Sequence, residues 1–116
     1  MRILHIDDSQ DLLRVTAELL QELGHVTHRA LGYHHAGDYL RNFTYDAVFS
    51  NFGDLRESAF LENIDLIRKM HSGPVILLTG VPRQTPGLAK ADGILVKPFG
   101  PLELAGMVQR IEEGWF

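Results

Sequence analysis

Cysteine is absent from this chain, which excludes disulfides, thiolate metal sites and thiol nucleophiles together. Long apolar runs are missing too: none exceeds about six residues, against the roughly 18 or more that a membrane-spanning helix needs. The N-terminus lacks the pattern of a secretory signal, so a cytoplasmic location is the default expectation. Lys and Arg number 11 against 15 Asp and Glu and are scattered along the chain. No basic stripe can neutralise a nucleic-acid backbone, so direct nucleic-acid binding is not expected. What is present is ordinary for a globular domain: 116 residues, 45% hydrophobic and 22% charged, net charge −4. A chain of this size forms one domain, residues 1–116, and buries about two-thirds of its unfolded surface.

Short apolar runs alternate with longer segments of helical periodicity, the signature of a parallel α/β sheet. A first strand is expected over 2–7. Ser9 then caps a helix over about 10–23, with Leu12, Leu13, Val15, Leu19, Leu20 and Leu23 at helical spacing and Gly24 as its stop. A more polar strand over 25–30 suits a sheet edge, and a second helix covers about 34–42. The third strand runs 45–51, followed by a loop over 52–60 and a helix to about His71. Val75–Thr79 reads as a central strand, Gly93–Val96 as the fifth, and 101–113 as the last helix, with Pro101 in its first turn. Between Gly80 and Asp92, Pro82, Pro86 and Gly87 leave room for a helical turn or two at most. In such sheets crossovers are right-handed and ligands sit beyond the carboxyl ends of the strands. Asp7, Asp8, Asn51, Thr79 and Lys97 all fall at those ends.

On these residues the chain resembles the receiver domain of two-component response regulators. The matching pieces are Ile3-Leu4-His5-Ile6-Asp7-Asp8-Ser9, Asp46-Ala47-Val48-Phe49-Ser50-Asn51, Pro74-Val75-Ile76-Leu77-Leu78-Thr79-Gly80 and Val96-Lys97-Pro98-Phe99. The resemblance implies a flavodoxin-like, doubly wound sheet of order 2-1-3-4-5. It also implies that Asp7 and Asp8 are the magnesium carboxylates and that Asn51 occupies the phosphoacceptor position. By the same resemblance Thr79 is the hydroxyl that contacts a phosphoryl group, Lys97 the cation that pairs with it, and Lys97-Pro98 a candidate cis bond. A histidine kinase, another regulator or an attached output domain is the implied partner, with a second copy of the chain as a further option.

Four departures from the family pattern point one way. Asn51 has no anionic oxygen with which to form an acyl phosphate, and with two carboxylates instead of three, magnesium binding is expected to be weak. No cofactor is required. The loop after Asn51 is about four residues longer than usual and reads Phe52-Gly53-Asp54-Leu55 where a Met-Pro turn is customary. The stretch from Thr79 to Lys97 is about four residues shorter, so the fourth helix is expected to be truncated or missing. Ile94 stands at the switch position, where a Tyr or Phe is usual. The expectation is therefore a pseudo-receiver, a protein-interaction module and not an enzyme.

The same residues admit other readings. The chain could be an ordinary phosphoacceptor receiver carrying an Asp-to-Asn substitution. It could be a flavodoxin-like nucleotide or flavin binder, although Asp7-Asp8-Ser9-Gln10 offers no glycine-rich phosphate loop. Asp7-Asp8 could merely face the first helix dipole, and Lys97 could form a structural salt bridge to Asp7 or Asp8 without metal. Asp54 is a remote substitute acceptor, His34-His35 a solvated pair, and His5 a neutral, hydrogen-bonded core histidine.

Overall fold

The computed structural model describes residues 1–51, 57–81 and 90–116, with the backbone alone for 57–61. Five parallel strands form one sheet of order β2-β1-β3-β4-β5. The strands are β1 (Arg2–Asp7), β2 (Val26–Leu31), β3 (Ala47–Asn51), β4 (Val75–Thr79) and β5 (Gly93–Val96). Among the described residues there are four helices: α1 (Gln10–Glu22), α2 (Tyr33–Asn42), α3 (Glu57–Met70) and α4 (Pro101–Glu112). No described helix is long and apolar enough to cross a membrane.

Strand alternation sorts the core into two layers. Leu4, Ile6, Val48 and Leu77 pack with Ala36 and Leu40 of α2 and Ile64 and Ile67 of α3. Ile3, Phe49, Ile76 and Leu78 point the other way, onto Leu20 of α1 and Leu104, Met107, Val108 and Ile111 of α4. A parallel sheet covered on both faces explains why β3 and β4 are buried at every position. β2 and β5, at the edges, are only partly covered.

Local chemistry sets the element ends. The Leu12 amide donates to Ser9 Oγ at 3.2 Å, capping α1. Gly24, at φ +90°, makes the left-handed turn that stops it. At the amino end of α4 the Glu103 carboxylate accepts the Gly100 amide at 3.0 Å, with Pro101 at the first helical position. Two boundaries differ from expectation by more than one residue. β3 begins at Ala47, because Tyr45 turns its hydroxyl to His28 Nδ1 at 2.7 Å while Asp46 accepts the Arg2 amide at 2.8 Å. α3 begins at Glu57, inside the segment read as loop, since residues 57–61 are mostly good helix formers. The expected shortening of the fourth helix falls on 80–92, of which 82–89 lie outside the described residues, as does Asp54.

Arg68, near the end of α3, joins three backbone segments. Its Nε and Nη2 donate to the Lys90 carbonyl at 2.9 and 2.7 Å, and its Nη1 to the Gly73 carbonyl at 3.2 Å. Nη2 also reaches Asp92 Oδ2 at 2.7 Å, and that oxygen accepts the Val75 amide at 2.8 Å. Lys90 in turn pairs with Asp65 at 2.7 Å. The chain entering β5 is thereby pinned to α3 and to the start of β4.

Candidate functional site

The register brings the strand tips together: Asn51 lies beside Leu78, and Thr79 beside Val96. Lys97 follows β5 directly, its amide donating to the Thr79 carbonyl at 2.8 Å, and the Lys97-Pro98 bond is cis. Asp7, Asn51 and Thr79 are buried, whereas Asp8 is exposed.

The side chains form one connected cluster. The Lys97 ammonium donates to Asn51 Oδ1 at close range and lies 3.6 Å from Asp7 Oδ2. The other end of the Asn51 carboxamide donates to Asp8 Oδ1 at 3.1 Å. Asp7 Oδ1 accepts the Ser9 amide at 3.1 Å, and His5 Nε2 stands 3.5 Å from Asp7 Oδ2. Thr79 Oγ1 accepts the Val81 amide at 3.1 Å. Burial pushes the Asp7 carboxyl up, but the His5 ring, the Ser9 amide, the Lys97 charge and Asp8 together outweigh it and hold it below the ordinary carboxylate value.

His5 departs from expectation. It is fully buried, yet neither ring nitrogen has a hydrogen-bond partner among the described residues. The apolar packing around β1 leaves Asp7 as its near polar neighbour, and 3.5 Å is an electrostatic contact longer than a formed N–H···O bond. His34 and His35 are both exposed; His35 Nδ1 accepts the Leu31 amide at 3.3 Å, so the pair does not converge on a ligand. Ile94 is half-buried and packs on the layer under α2 and α3. Pro98 lines a shallow apolar groove with Leu12 and Phe99 beside Lys97.

Two site residues escaped the sequence reading. The Tyr33 hydroxyl donates to the Asn51 carbonyl at 3.1 Å and hydrogen-bonds Ser50 Oγ at 2.8 Å. Burial raises its pKa to about 12, with Asp7 and Asp8 adding to the rise and the Ser50 bond opposing it. The available signal was positional: Tyr33 follows Gly32 at the carboxyl end of β2, and Gly32 sits at φ +88° with its amide on the Asp7 carbonyl at 3.1 Å.

The cluster holds hard oxygen atoms, but the Asn51 side chain is itself no nucleophile, because the lone pair on an amide nitrogen is delocalised and its oxygen is uncharged. Magnesium requires near-octahedral oxygen ligation. Asn51 Oδ1 already accepts Lys97, and among the described residues no three His, Asp or Glu side chains converge as a metal site.

No family model and no curated protein matches this sequence. Solved structures do match. The chemotaxis response regulator CheY4 of Vibrio cholerae is 24% identical, with a TM-score of 0.82 over 95% of this chain and 97% of that one. A two-component response regulator from Clostridium difficile is 21% identical, with a TM-score of 0.86 over 99% and 98%. NtrX from Brucella abortus, solved with ATP, is 25% identical with a TM-score of 0.83, and here 97% of this chain corresponds to 27% of that protein. The structural neighbours of this chain are CheY-like response-regulator receiver domains, and it shares their flavodoxin-like fold.

Proposed function

We propose that this chain is a receiver-like domain of two-component signalling that works by protein–protein contact without accepting phosphate. The observation that carries the reading is the Asn51 carboxamide at the centre of the strand-tip cluster, its oxygen on Lys97 and its nitrogen on Asp8. Aspartyl phosphorylation needs an anionic oxygen aligned with the incoming phosphorus, and position 51 has none. Asp7 and Asp8 would hold magnesium only weakly, where it would neutralise charge. Partners of the expected kind are a histidine kinase, another regulator or an output domain, in the cytoplasm.

The test is intact-mass analysis after incubation with acetyl phosphate and magnesium. The expected result is no adduct; a stoichiometric, acid-labile gain of one phosphate on this chain overturns the reading.

A second reading, an ordinary receiver whose acceptor has been substituted, is favoured by the otherwise complete cluster of Asp7, Asp8, Thr79 and Lys97. Asn51→Asp separates the two. Phosphorylation of that variant favours the substituted acceptor, and continued inertness favours a divergent module.

A further inference from the structure

We propose that Lys97 and the Asn51 carboxamide together take the place of a divalent cation, so that the acidic cluster is closed by the chain itself and is independent of magnesium. This rests on position 51 being the centre of the pocket, as in the proposed function, but its readout is metal occupancy and not phosphate.

A divalent ion at such a cluster would neutralise Asp7 and Asp8 and tie the tip of β3 to that of β1. Protein groups already do both. The Lys97 ammonium sits on Asn51 Oδ1 and 3.6 Å from Asp7 Oδ2, bridging the two strand tips from the end of β5. The carboxamide suits the middle place because it has two unlike ends. Its oxygen accepts from the ammonium, and its N–H donates to Asp8 Oδ1 at 3.1 Å. A carboxylate at position 51 could only accept, and would face Asp8 with like charge. Asp7 Oδ1 accepts the Ser9 amide at 3.1 Å, whereas Oδ2 has no hydrogen-bond partner among the described residues and is met only by charge, from Lys97 at 3.6 Å, and by the His5 ring at 3.5 Å. A divalent ion entering the cluster would be repelled by the Lys97 ammonium, 3.6 Å from Asp7 Oδ2. To reach the amide oxygen it must also displace Lys97.

Manganese(II) chloride, titrated into the ¹⁵N-labelled chain, tests this through paramagnetic broadening of the Asp7, Asp8 and Ser9 amides. The unsubstituted chain is expected to show no saturable broadening there below roughly 10 mM. Lys97→Met, which removes the competing cation, is expected to gain saturable binding on the order of tenfold tighter. Asn51→Asp, which retains Lys97, is expected to gain it as well and serves if Lys97→Met fails to fold. Saturable broadening of these amides in the unsubstituted chain below that concentration overturns the proposal, as does the absence of a gain in whichever variants give folded spectra. A chain that excludes manganese yet takes phosphate would sink the proposed function and leave this inference standing.

Discussion

Replacing the Asn51 carboxamide by a carboxylate changes one atom, and its effect on metal-free stability follows from the contacts. Asn51 Nδ2 donates to Asp8 Oδ1 at 3.1 Å. A hydrogen bond to a charged acceptor contributes roughly 1.5–3 kcal/mol, and the exposure of Asp8 places this one near the lower end. In Asn51→Asp two anionic oxygens would face each other there, at a cost of about 1.3 kcal/mol in the dielectric of water and several times more at an effective value of 20. Lys97, already in contact with position 51, gains a charged partner, and the same arithmetic makes that gain comparable to the Asp8 repulsion. The lost hydrogen bond and a residual repulsion from Asp7 remain. The net expectation is roughly 2 kcal/mol of destabilisation, a fall in Tm of about 8 °C for a chain of this length.

Magnesium should reverse the loss. A third carboxylate about 4 Å from a divalent ion adds at least ~2 kcal/mol of attraction even in water, or roughly 30-fold in affinity. Magnesium at about 10 to 100 times its Kd then returns ~1.4–2.7 kcal/mol. Urea unfolding of both proteins at neutral pH, in EDTA and in magnesium, measures each part. The variant is expected to be weaker in EDTA and restored by magnesium, with the unsubstituted chain indifferent. A variant as stable as its parent in EDTA refutes the claim that the Asn51–Asp8 contact stabilises the fold.

Three further outcomes are expected. Arg68→Met removes the bonds to Lys90, Gly73 and Asp92 and should cost roughly 2 kcal/mol in urea unfolding; Arg68→Lys should not restore it, since one ammonium cannot reproduce the planar fork. Burial lowers the pKa of both His28 and His71, with Arg2 contributing at His28; folded imidazoles that resist protonation give stability complete above the ordinary value near 6.5 and lost as pH falls below it. Asp7, held below 3.8, contributes stability that is complete above that pH and lost lower still, as pH falls through its folded value. The acid limb of a stability–pH curve should thus have two steps, and His71→Phe should shrink the upper one; an unchanged upper step would contradict the assignment. Tyr33→Phe deletes the hydroxyl that links Ser50 to the Asn51 carbonyl and should cost about 1 kcal/mol by the same unfolding assay.

The parts of the fold that depend on neighbours in sequence were legible. The apolar run of β4 and the largely apolar centre of β1, the Ser9 cap, the Gly24 stop and Pro101 each act within one turn or strand, so their chemistry is written locally. The strand-tip positions of Asp7, Asn51, Thr79 and Lys97 followed from knowing where the strands end. Contacts set by tertiary register were not legible. Tyr33 meets Ser50 across 17 residues and Arg68 meets Lys90 across 22, and nothing in either segment names the other. His5 failed for a related reason. A core histidine is normally satisfied, but the alternation that buries it beside Asp7 supplies no hydrogen-bond partner for its ring among the described residues.

The persistence of a polar cluster at the strand tips does not by itself argue for phosphoryl chemistry. With Asp7 only 2% exposed, its carboxylate must be compensated wherever it is ionised, and deleting one partner of a buried charge typically costs about 3–5 kcal/mol. Lys97 supplies that compensation, and the Asn51 oxygen holds the Lys97 ammonium in place. An apolar residue at position 51 would end both the hold on Lys97 and the donation to Asp8, so the pocket has a structural reason to be polar that is independent of phosphoryl chemistry. The amide is the neutral side chain of matching size that can accept from a cation and donate to an anion at once. Stability alone can therefore maintain Asp7, Asn51 and Lys97 as a set, and their presence together does not by itself separate a phosphate-handling pocket from a purely structural one.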